Sequence, residues 1–253
     1  MNLLANSFEA EGVAPRGLDI VGGIRGEIGR SRTVWGIKQS GAEIGWELYF
    51  YDYDRCQRTR SIPRLLRALR PWISCEIDPG EHIPYFMFSL ELGRALLAGG
   101  GTLDAVQTYI GNIGSTVSSG ICYEVTRAQA RLKNFYFFFD ARREMGEIEG
   151  KVLTSVHLEP SATVLDGILL PELRACEVIV VANKPDRDGV YFSRIDVTQL
   201  LWFLKRMAYP ESQVRFVESN LGRLDHLLFD VGFDYRMEGG RLRILKSAYY
   251  GTF

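Results

Sequence analysis

The stretch CEVIVVANKPDRDGVYFSRIDVTQLLWFLKRM (residues 176–207) reads in one pass as strand, turn, strand and helix. Residues 176–184 and 190–195 are rich in β-branched and aromatic side chains. Pro-Asp-Arg-Asp-Gly (185–189) between them is turn chemistry, so the segment predicts a hairpin. Asp196 follows at once as a helix cap, and the apolar residues of 197–207 cover one helical face. A strand–helix–strand order calls for a parallel sheet. Two strands followed by a helix call for an antiparallel sheet with helices on one face.

The rhythm recurs along the chain. TVWGIKQS (33–40) and GWELYFYDYD (45–54) form a first hairpin. A helix follows over 59–72, with Ile62, Leu65, Leu66 and Leu69 at helical spacing, Ser61 as cap, Pro63 in the first turn and Pro71 at the end. ISCEID (73–78) and PYFMFSLEL (84–92) predict a second hairpin around Pro79–Gly80, and Leu103–Ile110 a helix capped by Thr102. GICYEVTR (120–127) and RLKNFYFFFDA (131–141) predict another hairpin. Residues 142–160 read as irregular or helical and 161–174 as a short helix. QVRFVES (213–219) and LDHLLFDVGFDY (224–235) predict the last hairpin. The chain closes on RLRILKSAYYGTF (241–253), a strand whose two-residue period puts Leu242, Ile244, Lys246, Ala248 and Tyr250 on one face.

Ten or eleven strands in one open sheet would leave two long edges. An α+β fold with a closed antiparallel ten-stranded barrel and an outer ring of helices removes them. An open α+β sandwich and two ferredoxin-like halves are the other arrangements compatible with the pattern. With no linker in evidence, residues 1–253 read as a single domain whose first 30 residues are less regular.

Composition narrows the function. Of 253 residues 46% are hydrophobic, which excludes disorder, and 30 basic against 31 acidic side chains leave a formal charge of -1. Such a balance provides no overall field for nucleic acid or an anionic membrane. Cys56, Cys75, Cys122 and Cys176 are far apart, as are the three histidines, so zinc and disulfide frameworks are unsupported. The amino-terminal stretch has no signal-peptide pattern and no run is long enough to span a bilayer, so the reading is a soluble, cytoplasmic protein. VGGIRGEIG (21–29) does not open a Rossmann unit, AGGGT (98–102) lacks a P-loop lysine, and GxSxG, HExxH and calcium-loop motifs are absent.

What recurs instead is a basic residue on a strand: Lys38, Lys133, Lys184, Arg215 and Lys246. Lysine is depleted in strands. Each can face solvent from a half-exposed sheet. Aimed into one barrel, the five form a well for an anion carrying two phosphates. The same strands carry Tyr49, Tyr51, Tyr123, Phe135, Tyr136, Tyr191, Phe216 and Tyr250, which suit either core packing or a ring of π faces around a cation.

Together these features resemble the ABBA prenyltransferases, in which repeated αββα units close a ten-stranded barrel around the active site. ARLKNFYFFF (130–139) is similar to the family's central lysine strand, SNLGRLDHLLFDV (219–231) to its penultimate strand, and LKSAYYGTF (245–253) to its last. GIKQSGAEIGWELYFYDYD (36–54) is similar to its first hairpin, including that of the short enzymes that modify cyanobactin peptides. The resemblance implies a natural-product transferase that moves an allylic group from dimethylallyl or geranyl diphosphate to a peptide or small aromatic acceptor. It implies that Lys38, Lys133, Lys184, Arg215 and Lys246 hold the diphosphate. Tyr123, Tyr136, Tyr191 and Tyr250 shield the cation, and Glu47 orients the acceptor. On the Lys133 strand, Asn134 and Tyr136 are the alternative inward pair. His226 stands where the family has arginine. The aspartate that binds magnesium in some members falls near Tyr49, so the sequence does not support a magnesium requirement. The rival readings are a non-catalytic ligand-binding barrel and a partner-binding domain with its lysines in water.

Overall fold

The computed structural model describes residues 2–29, 31, 33–52, 60–77, 82–112, 117–159 and 162–252. The chain begins with helices α1 (Asn2–Ala10) and α2 (Ala14–Ile28), strands β1 (Thr33–Ser40) and β2 (Glu43–Tyr51), and helix α3 (Ile62–Leu69). Next come β3 (Ser74–Cys75), β4 (Met87–Leu92), α4 (Arg94–Leu97), β5 (Thr102–Leu103), β6 (Ala105–Gly111), β7 (Ser119–Thr126) and β8 (Ala130–Asp140). Helices α5 (Met145–Leu153) and α6 (Ala162–Ile168) and a 3-10 turn (Pro171–Leu173) lead to β9 (Val178–Asn183) and β10 (Asp188–Ile195). The last part runs α7 (Val197–Arg206), α8 (Glu211–Ser219), α9 (Leu221–Leu224), β11 (Phe229–Glu238) and β12 (Arg241–Thr252). None of the described helices is long and apolar enough to cross a membrane.

Ten strands close in the order β1-β12-β11-β10-β9-β8-β7-β6-β4-β2, all antiparallel, and β2 pairs with β1 to complete the ring. The pleat divides each strand between two environments. Trp35, Trp46, Phe50, Phe88, Phe192 and Val231 face outward and are buried beneath the helices. Burying each large apolar side chain contributes about 1.5–3 kcal/mol, so the main core lies between barrel and helices. The Trp46 ring packs 5.1 Å from Phe8 of α1, and its indole N–H donates to Ser7 Oγ at 2.8 Å. Lumen-facing positions are left for polar and aromatic side chains.

Several sequence expectations change. Residues 105–111 form strand β6, not a helix, because Val106 and Thr108 are buried on one face while Gln107 and Tyr109 line the lumen. The expected second hairpin is absent: Ser74–Cys75 pairs parallel with Thr102–Leu103, and β4 lies between β2 and β6. Its Pro79–Gly80 turn lies outside the described residues, as do the last two residues of the 45–54 strand. Residues 213–219 belong to α8, where Gln213, Val214 and Val217 are buried at helical spacing. The final hairpin is therefore β11–β12, turned by Gly239 and Gly240, both at positive φ (59° and 74°) that glycine tolerates. The amino-terminal residues expected to be less regular form two helices.

The last strand also differs. Asp234 pairs with Lys246 and Tyr235 with Ile244, leaving Leu245 as an unpaired bulge residue. A one-residue bulge inverts the alternation. Leu242 thus packs outward against the position of Gly167, while Lys246, Ala248 and Tyr250 face the lumen. The lysine does not share the face of Leu242 and Ile244.

Closure imposes a size rule inside the barrel. Each lumen tyrosine faces a small residue on the next strand in one rotational sense: Tyr49 Ser89, Tyr109 Cys122, Tyr136 Ala182, Tyr191 Gly232 and Tyr250 Gly36. A Cβ on Gly232 would overlap the Tyr191 ring and lie 2.7 Å from the Val190 carbonyl oxygen. Gly232→Ala is expected to cost about 1–3 kcal/mol through overpacking, measured by urea denaturation. Gly45→Ala, where the space is open, is expected to stay within about 0.5 kcal/mol of the parent.

Candidate active site

Five tyrosines from alternate strands meet at one level of the lumen. Tyr49 lies 6.3 Å from Tyr109 between ring centroids, Tyr109 6.0 Å from Tyr136, and Tyr136 6.4 Å from Tyr191. Tyr191 lies 6.4 Å from Tyr250, and Tyr250 5.8 Å from Tyr49, which closes the circle. These are ordinary separations for tilted and edge-on aromatic pairs. The hydroxyls are anchored on one side. Tyr49 donates to Glu47 (2.6 Å) and Tyr109 to Gln107 (3.1 Å), while Tyr136 accepts from Asn134 (2.9 Å) and Tyr191 from Lys184 (3.1 Å). Burial raises the pKa of all five phenols above the usual tyrosine value.

The collar divides the lumen into two chambers. Above the hydroxyls is a polar cavity of about 200 Å³ lined by Lys38, Lys133, Lys184, Arg187 and Lys246, with Glu47, Glu91, Glu124 and Asp234 among them. Lys38 contacts both Glu47 and Glu91, and Lys246 lies 3.6 Å from Glu91. Lys184 and Arg187 share Asp234 at 2.6 and 3.0 Å, and Lys133 pairs with Glu124 at 2.9 Å. A groove of about 730 Å³ continues outward past Lys38, Glu91, Arg187 and Lys246 between residues 42–46 and 92–95. Below the collar is an apolar cavity of about 360 Å³, with walls including Val34, Tyr51, Met87, Phe138, Val178 and Val180.

The titration of the polar chamber follows from its crowding. Burial disfavours the Lys38 ammonium, but Glu47 and Glu91 outweigh it and hold its pKa well above the usual lysine value. Lys38 in turn pulls Glu91 down to about 2. Lys246 goes the other way: burial, then repulsion from Lys38, lowers it to about 8 against the attraction of Glu91 and Glu47. Asp234 is pushed up by burial, yet Lys184 and then Lys246 and Arg187 keep it below the usual aspartate value.

Four of the five expected basic residues converge on this chamber, with Glu47, and Tyr136, Tyr191 and Tyr250 stand in the collar. Lys133 reaches it because it is the unpaired bulge residue of β8: Cys122 pairs with Asn134 and Tyr123 with Leu132. The strand therefore presents Lys133, Asn134 and Tyr136 together. Two assignments fail. Arg215 sits on α8, exposed and paired with Glu211 at 2.7 Å, because its segment is helical. Tyr123 lies on β7 between Cys122, whose Sγ reaches the lumen residue Gln107, and the lumen residue Glu124, so the pleat turns it outward. His226 is exposed beside Asp225 rather than in the chamber. Tyr109, Arg187, Asp234, Glu91 and Glu124 were not anticipated as site residues. The alternation Val106-Gln107-Thr108-Tyr109 was the available signal for Tyr109.

Among the described residues no three His, Cys, Asp or Glu side chains are grouped so as to hold a metal ion. The chemistry on offer is anion binding on one side of an aromatic ring and apolar binding on the other. Comparison of the chain with protein-family models and with curated proteins finds no match.

Proposed function

We propose that this protein is a prenyltransferase that moves an allylic isoprenyl group from a prenyl diphosphate to an electron-rich peptide side chain or small aromatic molecule. The observation that carries the reading is the closed tyrosine collar between a chamber of five cations and an apolar chamber. A dissociating allylic diphosphate needs both environments within a few ångströms: positive charge where the leaving oxygen gathers negative charge, and π faces where the carbon becomes positive. In this reading Lys38, Lys133, Lys184, Arg187 and Lys246 take the diphosphate, displacing part of their pairing with Glu91, Glu124 and Asp234. The carbon–oxygen bond breaks with its electron pair leaving on diphosphate. The allylic cation sits in the collar, where apolar walls keep out water. The acceptor supplies the electron pair for the new bond and then loses a proton. Glu47, bound by the Tyr49 hydroxyl at 2.6 Å and by Ser89 Oγ at 2.5 Å, is the base nearest the collar on the donor side.

Incubation with dimethylallyl or geranyl diphosphate and a panel of neutral aromatic and peptide acceptors is expected to release pyrophosphate and give alkylated product by mass spectrometry. Failure to bind either diphosphate overturns the reading. Lys246→Ala removes one charge-assisted contact and is expected to weaken donor binding roughly 10- to 100-fold. Its unfolding midpoint should stay close to the parent value, because among the described residues the one ion pair of Lys246 is the long contact to Glu91 at 3.6 Å.

Because Lys246 titrates at about 8, its ammonium is mostly present at pH 7 and mostly lost at pH 9. Donor affinity is expected to fall as pH rises through this window. In Lys246→Arg, whose guanidinium stays charged, calorimetric titration at pH 7 and pH 9 should show a flatter profile. An equally steep profile in that variant would assign the pH dependence to another group.

A further inference from the structure

Among the described residues the apolar chamber holds one carboxylate, which the reaction above does not use. Asp230, near the start of β11, pairs with Ser193 and with Tyr250 in the ladder, and so points into the lumen on the acceptor side of the collar. It is held in one orientation: Ser193 Oγ donates to Oδ1 at 2.7 Å and the Arg194 N–H to the same oxygen at 2.8 Å. The second bond exists because Arg194 is a bulge residue, skipped between Ser193 and Ile195 in the pairing with β11. Its φ of 65° lies in the left-handed region, an unfavourable conformation for arginine. Its own guanidinium turns away to Glu177 at 2.7 Å. Among the described residues Oδ2 accepts no hydrogen bond and the carboxylate has no ion-pair partner, although it is surrounded by Val34, Val180, Phe138 and the collar rings. Burial accordingly raises its pKa above the usual aspartate value.

We propose that Asp230, oriented by Ser193 and the Arg194 backbone, is the acceptor-recognition group of this chamber and selects neutral acceptors that carry an O–H or N–H donor on an apolar ring. A carboxyl in apolar surroundings with an open oxygen gains most from a donor brought by the ligand, and a ligand without one leaves it unpaired. A ligand with its own carboxylate meets like charge. Phenols and indoles, free or as neutral blocked tyrosine and tryptophan peptides, share the favoured chemistry. Calling the bound molecule an acceptor rests on the prenyltransferase reading, but the preference itself does not.

The test is therefore binding without donor, by ligand-observed NMR titration. p-Cresol is compared with its methyl ether, indole with 1-methylindole, and blocked neutral tyrosine and tryptophan peptides with the free rings. Wild type is expected to prefer the O–H or N–H member of each pair by about tenfold or more and to discriminate against 4-hydroxybenzoate. Asp230→Leu should abolish the preference. Ser193→Ala, which keeps the carboxylate but loosens it, should reduce the preference. Asp230→Asn, which retains an accepting oxygen, should restore part of it. Donor binding is titrated in the same variants and should stay at the parent value, since the diphosphate cations line the opposite chamber. Equal affinity for each pair in wild type, or a preference unchanged in Asp230→Leu, overturns the proposal. Failure of prenyl diphosphate to bind, with the phenol preference intact, overturns the transfer reaction instead and leaves Asp230 as a ligand-selecting group. Peptide and free ring binding alike support side-chain recognition; binding of the free ring alone identifies a small-molecule acceptor.

Discussion

Everything in the lumen depends on the alternation of large and small side chains around a closed ring of ten strands. Five tyrosines fit at one level because Ser89, Cys122, Ala182, Gly232 and Gly36 stand beside them, each displaced in the same sense around the barrel. Ten bulky residues at this level would overfill the lumen, and ten small ones would leave a continuous pore. The alternation instead produces a partition. Because the outer layer supplies most of the apolar burial, the lumen is free to carry charges that a core would reject.

Those charges are held in check by one another. Among the described residues five basic side chains and four carboxylic acids line the polar chamber. Pairs of this kind are seldom stabilising relative to well-packed apolar residues, because desolvation offsets most of the Coulomb attraction. Lys38 illustrates the balance: burial disfavours its ammonium, and contact with Glu47 and Glu91 more than offsets this. The carboxylates hold the cations inward through ion pairs. In the proposed reaction an incoming diphosphate would compete for positions that are already set, rather than having to organise flexible lysines.

Much of the architecture was legible because a hairpin with its turn is a local object. Residues 176–207 gave strand, turn, strand and capped helix, and Asp196 does form a capping box with Gln199. The failures have two causes. Short segments such as 103–110 and 213–219 carry apolar residues that satisfy either period, and only tertiary burial decides between them. QVRFVES alternates well enough for a strand, yet it buries Val214 and Val217 as a helix, which removed Arg215 from the site. Bulges were the second obstacle. A strict two-residue count across RLRILKSAYYGTF misassigned Leu242 and Ile244 to the face of Lys246, since nothing local marks Leu245 as the unpaired residue. At Lys133 the bulge worked the other way and brought Lys133 into the chamber beside Asn134 and Tyr136.

The collar itself is more than a filter of size. A tyrosine near an allylic cation is hazardous if it ionises, because a phenolate is a competing nucleophile. Burial raises the pKa of all five, so each remains a neutral phenol with an intact π face. The hydroxyls are further occupied on the polar side, four of them by Glu47, Gln107, Asn134 and Lys184. A ring fixed by its hydroxyl cannot rotate that oxygen toward the lumen below. The same contacts that anchor the collar to the anion chamber therefore turn its hydrocarbon edges and faces toward the place where a cation would form.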